Sequence, residues 1–210
     1  FDVTDAVNPI IITGAVNGEF ERTNATTARF ALSTLTALHD TTNSALLVEK
    51  DTASNLRATT KSADMVIITD ASLRTALNPL VNRRIAEGLD VEVVYVRDIF
   101  DEFGYGRYST QAIRDFLQYV YENWGGDREY VLLAGDSTSD HRNLKGLNNG
   151  RNLVPVFLHS GIDSYIGEAA ADNQFVAFES DGGSPHNLPF FLLGRLPAAN
   201  SAEMTTMVQK

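Results

Sequence analysis

From residue 64 onward the chain alternates short apolar runs with amphipathic stretches, and this alternation constrains its fold more than any other feature. Residues 65–69 (MVIIT) form a continuously apolar run of strand length, the kind that is covered on both faces. A helical stretch follows at 73–88, interrupted at Asn78-Pro79. Proline lacks a backbone donor, so a kink or a helix restart is expected there. Gly88 stands where a helix C-cap belongs. Residues 91–96 read as a second strand. Ser109 or Thr110 then caps a helix running to Trp124, with Ile113, Phe116, Leu117, Val120 and Tyr121 on one face at helical spacing. Residues 130–134 are a third strand and 190–193 a fourth. Asn200, with Glu203 three residues on, forms a capping box that opens a last helix. Strand, helix, strand, helix with short joins predicts an α/β fold, a parallel, right-handed sheet in three layers.

The first 57 residues follow a different pattern. Residues 9–13, 30–33 and 45–49 read as short strands between turns of Asn, Gly, Asp and Thr, and Asn17-Gly18 is a strong hairpin signal. This segment reads as the end of a β-sandwich module whose earlier strands lie upstream, because three or four strands seldom bury a core alone. The expected domains are therefore 1–57 and 58–210. The first residue is Phe1, and the pattern stops two or three turns into a helix, so the sequence is expected to be one piece of a longer protein.

Charge narrows the functional classes. The net charge is −10, and the 17 basic residues are scattered among 27 acidic ones, which argues against a nucleic-acid partner. No apolar run in the sequence is long enough to cross a bilayer. Cysteine is absent, which excludes disulfides, thiolate metal sites and a cysteine nucleophile within these 210 residues.

Ligands of open parallel sheets bind beyond the carboxyl ends of the strands. Here those ends carry Thr69-Asp70, Arg97-Asp98, Gly135-Asp136 and Gly194-Arg195. Asp70, Asp98, Asp136 and Asp140 are the strand-end candidates, and capping a turn or a helix is the alternative role for each. The loop 133–140 (LAGDSTSD) is the most distinctive. Its glycine and two carboxylates could hold a metal or a substrate, or tie neighbouring backbone amides. It has neither a Walker lysine nor the GxGxxG glycines, so it is not a phosphate loop. Ser137 and Ser139 lie near His141 without a G-x-S-x-G elbow. His39, His141, His159 and His186 lack any ligand spacing. Asp172, Glu179 and Asp181, in a segment that also holds Glu168 and ends in a Gly-Gly turn, are candidate ligands for Ca2+. Solvated loop acids are the competing reading, since EF-hand spacing is missing.

A set of ordered motifs goes further. The runs 54–69 (SNLRATTKSADMVIIT), 79–94 (PLVNRRIAEGLDVEVV), 98–106 (DIFDEFGYG), 111–117 (QAIRDFL), 130–136 (YVLLAGD), 171–175 (ADNQF) and 194–197 (GRLP) resemble, in order, the peptidase domain of gingipain-like cysteine peptidases. Residues 1–54 resemble the β module that precedes that domain in long members. The resemblance implies a caspase-like or flavodoxin-like α/β fold, of which this segment is the first of two sub-domains, packed beside the catalytic one and extending its sheet. It implies a parent acting on polypeptide substrates, exported to the cell surface or beyond, often with structural calcium. The family's catalytic His stands in an N-x-x-G-H-G context and its Cys further on. Neither context occurs here, so no catalytic role passes to any residue of this sequence. Two other readings stay open: a family member without its catalytic pair that serves export or surface assembly, and a non-enzymatic module that binds a ligand through its sheet-end loops.

Overall fold

The computed structural model describes residues 52–127, 129–146, 152–160, 167–178 and 189–209. The chain divides into two compact units, Phe1–Thr52 and Ala53–Lys210. The three strands and the Asn17-Gly18 turn expected in the β-sandwich segment lie outside the described residues. The division falls between Thr52 and Ala53, whereas the change of sequence pattern suggests one after Arg57. Residues 54–57 are packed within the second unit, as described below.

The second unit runs β1 (Met65–Thr69), a 3-10 turn (Ala71–Leu73), α1 (Arg74–Ala86), β2 (Val91–Tyr95), α2 (Val96–Gly104), α3 (Thr110–Asn123) and β3 (Tyr130–Ala134). It continues through β4 (Leu158–Ser160), β5 (Glu168–Ala170), a 3-10 turn (Asp172–Phe175), β6 (Leu192–Leu196) and α4 (Ser201–Val208). Four strands form one sheet in the order β2-β1-β3-β6, every pair parallel, and β4 pairs antiparallel with β5 in a separate ribbon. This is the three-layer α/β architecture that the alternating pattern predicts.

The two faces of β1 explain the layering. Successive strand residues point to opposite sides, and all five residues of β1 are buried. Val66 and Ile68 join Ile99, Ile113, Phe116, Leu117 and Val120 of α2 and α3 in one core. Met65 and Ile67 join Leu77 and Val81 of α1 and Met204 of α4 in the other. Each such side chain contributes about 1.5–3 kcal/mol on burial. Ser109 caps α3 by accepting from the Ala112 amide (3.3 Å), and Asn200 caps α4 by accepting from Ala202 and Glu203 (3.0 Å each).

A strap precedes β1. The Glu102 carboxylate of α2 accepts from Ser54 Oγ (2.5 Å), Leu56 N (2.8 Å) and Arg57 N (3.2 Å), while Trp124 Nε1 donates to the Leu56 carbonyl (3.0 Å). Leu56 is buried in the α2–α3 core, and the Arg57 guanidinium lies 4.0 Å from the Phe103 ring centroid. Lys61 pairs with Glu92 of β2.

Asp64 organises the amino ends of the strands. Its carboxylate accepts from the amides of Asp90 (2.9 Å) and Asp127 (3.0 Å), and its carbonyl from those of Glu129 and Tyr130. The Asp90 amide first, then the Asp127 amide, hold its pKa below the ordinary carboxylate range. A group whose folded pKa is depressed stabilises above its unfolded pKa and loses that contribution as pH falls through the folded value. Asp64→Asn should therefore lower stability at neutral pH, where the carboxylate accepts both amides, and the difference from wild type should shrink as pH falls below about 4. Urea midpoints measured from pH 3 to pH 7 check this; parallel curves for the two proteins would contradict it.

Several elements depart from expectation. The helix α1 runs unbroken through Pro79, its sixth residue, where the missing donor removes a single intrahelical bond. The fourth strand begins at Leu192 instead of 190. Phe190 and Phe191 are drawn into an aromatic cluster with Tyr121 and Phe178, and the Phe190 amide bonds the Val176 carbonyl (2.9 Å). The helix α2 and the β4–β5 ribbon are additions to the expected set.

Candidate functional site

Strand order reverses between β1 and β3, since β2 lies on one side of β1 and β3 on the other. Ligands of such sheets sit in the crevice at that point, beyond the carboxyl ends. Thr69 and Ala134 are register partners there, and the buried Thr69 Oγ1 donates across to the Ala134 carbonyl (2.9 Å). The hydroxyl ties the carboxyl ends of the two strands together.

The four strand-end carboxylates are placed as follows. Asp70 accepts from Ser72 N (2.9 Å) and Ser72 Oγ (2.6 Å), capping the turn that leads into α1. Asp98 lies in the first turn of α2, where a carboxylate meets the positive end of the helix. Asp136 accepts from the Ser137 amide (2.9 Å). Its own amide bonds the Ala198 carbonyl, and its carbonyl receives the amides of Leu153 and Val154. Asp140, nearly buried, accepts from the amides of Leu144 (2.8 Å) and Lys145 (2.9 Å) and so closes the turn that follows it. Asp70 and Asp136 directly follow the adjacent strands β1 and β3, whereas Asp98 lies in α2 and Asp140 further along the loop after β3. The Asp70 and Asp140 carboxylates thus cap or close turns, and the Asp136 backbone ties the exit of β3 to residues 153–154 and 198.

Gly135 has no room for a side chain. A Cβ there would lie 2.8 Å from Val154 Cγ2 and 3.1 Å from Leu153 Cβ. Beside it, Arg195 of β6 donates from Nη1 to the carbonyls of Gly135 and Val154 (2.9 Å each) and from Nη2 to Pro155 (2.8 Å). Its Nε and Nη2 grip the Asp172 carboxylate at 2.6 and 2.9 Å. Both oxygens of Asp172 thus face a guanidinium, a donor set that does not fit a calcium ion. Glu179 and Asp181, the other candidate calcium ligands, lie outside the described residues. Among the described residues, no three His, Cys, Asp or Glu side chains are grouped to hold a metal ion.

The histidines considered as nucleophile partners or ligands fall into separate places. His141 stacks on Tyr108, with ring centroids 5.2 Å apart and planes at 2°. Burial pushes the Tyr108 phenol above its ordinary pKa, and it donates to Asn152 Oδ1 (3.2 Å). His159 stands exposed on the β4–β5 ribbon; His39 and His186 lie outside the described residues. The joining of Asp172 to Arg195, 23 residues apart, is the one site feature that no local pattern announced.

A four-stranded parallel sheet with helices on both faces and the order β2-β1-β3-β6 is a three-layer α/β arrangement consistent with a caspase-like fold. The profile of peptidase family C25 matches residues 58–210, and the chain belongs to that family, the one whose gingipain-like members its motifs resemble. The crystal structure of dimeric latent PorU from Porphyromonas gingivalis is similar over 70% of this chain, with 21% identity and a TM-score of 0.54. A second solved structure, of a protease, is similar over 69% of this chain at 17% identity and a TM-score of 0.44. No curated protein matches it. The chain spans 15% of the length of the PorU chain and 26% of that of the second structure. The family's substrates are polypeptides, and no helix among the described residues is long and apolar enough to cross a membrane.

Proposed function

We propose that this chain is the framework sub-domain of a secreted gingipain-like cysteine endopeptidase, and that the thiol and imidazole of catalysis come from sequence beyond these 210 residues. The observation that carries this reading is the family match to a chain without a single cysteine. The geometry supports it: the described strand-end contacts of Asp70, Asp136, Asp140 and Arg195 are to backbone and to neighbouring side chains of the same unit. In the full-length enzyme a thiolate, activated by a nearby imidazole, attacks the scissile carbonyl, and water then hydrolyses the acyl-enzyme. The sub-domain's part is to carry the sheet on which that half is built. The edge strand β6 suits this role, because Leu192 is 66% exposed there and no strand pairs with its outer side among the described residues.

The 210-residue chain, incubated with a library of fluorogenic peptides, should give no hydrolysis above buffer. Turnover that co-purifies with the chain and is lost on Asp136→Ala would overturn the reading. Secretion is tested separately, by fractionating producing cells; full-length protein retained in the cytosol contradicts it. A full-length sequence without a Gly-His-Gly and a later cysteine would favour an inactive member serving export or surface assembly.

A further inference from the structure

The geometry around Arg195 points to a role beyond holding one ion pair. We propose that Arg195 is a positioning residue for the peptidase reaction of the full-length protein, a proposal that rests on the function proposed above. All five N–H groups of its guanidinium have acceptors: the two Asp172 oxygens and the carbonyls of Gly135, Val154 and Pro155. These acceptors belong to the exit of β3, the segment that crosses against Gly135, and the 3-10 turn at Asp172. One side chain on β6 therefore sets the relative positions of three segments around the carboxyl end of the open edge strand.

Stability alone is a poor reason for this arrangement. Arg195 is only 14% exposed, and a buried ion pair of this kind is commonly matched or exceeded in stability by well-packed apolar residues. What an apolar replacement cannot do is fix direction. A planar fork that binds a carboxylate in bidentate fashion and three carbonyls at once leaves its partners no freedom to slide. Lysine would keep the charge but brings three donors from one point to five acceptors spread around a plane. A groove of about 380 Å³ lined by Asp172, Val176, Phe191, Leu193 and Arg195 runs along the same edge of the sheet. The pair thus stands at the end of the surface on which the catalytic half would assemble, and an error in its placement would be passed to the nucleophile.

The test uses the full-length protein and its Arg195→Lys, Arg195→Met and Asp172→Asn variants. Active sites are counted with an irreversible thiol-directed peptidyl probe, so that kcat is expressed per intact site. A purely structural role would lower the number of sites and leave kcat per site unchanged. We expect both Arg195 variants to retain titratable sites with kcat lowered about tenfold or more and KM within about twofold, since small displacements far from the chemistry have such effects. Asp172→Asn keeps the three carbonyl contacts and should fall between these and wild type. It carries the test if the Arg195 variants do not fold. Unchanged kcat per site in the folded variants overturns the proposal while leaving the function intact. A wild-type protein with no titratable site overturns the function, and the proposal with it.

Discussion

Replacing Gly126 by alanine should destabilise the Ala53–Lys210 unit by roughly 2–5 kcal/mol, the sum of left-handed strain and overpacking. Gly126 has φ +87°, and a Cβ there would stand 2.8 Å from the Ala63 carbonyl oxygen and 2.9 Å from its carbon. Those atoms cannot move aside. The Ala63 amide is bonded to the Gly125 carbonyl and the Gly125 amide to the Lys61 carbonyl, so the clash falls on a backbone bridge at the start of β1. Gly88 is the control. Its φ is +96°, but nothing lies within 4 Å of its Cβ position, so Gly88→Ala should cost only the conformational part, about 1–2 kcal/mol. Trp124 is the sole tryptophan and lies in this unit, so its fluorescence in urea reports the relevant transition. Equal losses for the two variants would show that the close approach at Gly126 is not as described.

The second large effect is expected in the strap. Leu56→Ala should cost about 2–5 kcal/mol, because it removes a buried side chain from the α2–α3 core. Glu102→Ala should cost about 1–3 kcal/mol, since it strips the acceptor from the amides of Leu56 and Arg57 and from the Ser54 hydroxyl. Leu56 belongs to the strap and Glu102 holds the same strap from α2, so their effects should not add. A double variant is expected to lose less than the sum of the singles. The same fluorescence measurement reads this directly, because the Trp124 indole is bonded to the Leu56 carbonyl. Strict additivity would mean that strap and helix are not coupled through Glu102. The strap also has a practical consequence: the family match begins at residue 58, but the residues that fasten the fold begin at Ser54.

What could be read from the sequence follows from how local each feature is. The strands β1 and β3 are bounded as their apolar runs predict, and α3 and α4 begin at the Ser109 and Asn200 caps, because run length and capping chemistry are properties of a few consecutive residues. The helix α2 was legible as well: Val96, Ile99, Phe100 and Phe103 have helical spacing. It starts directly after β2 with no turn residue between, so the strand pattern ran on into it. The β4–β5 strands have three residues each, too few to show a period. At the strand ends, sequence supplied the carboxylates but left their roles divided between ligand and cap. The structure gives Asp70 and Asp140 backbone amides to hold, as Asp commonly does in turns. The Asp172–Arg195 pair was beyond reach, since nothing in 23 intervening residues specifies which cation an exposed-looking acid will meet.

The central claim is that this chain supplies the framework and not the nucleophile of a C25-family peptidase. Alkylation of the active full-length protein with iodoacetamide, followed by peptide mass mapping, tests it most directly. The account predicts that peptidase activity disappears as one cysteine outside these 210 residues is modified, in one-to-one proportion. Full activity after every cysteine has been alkylated would contradict it.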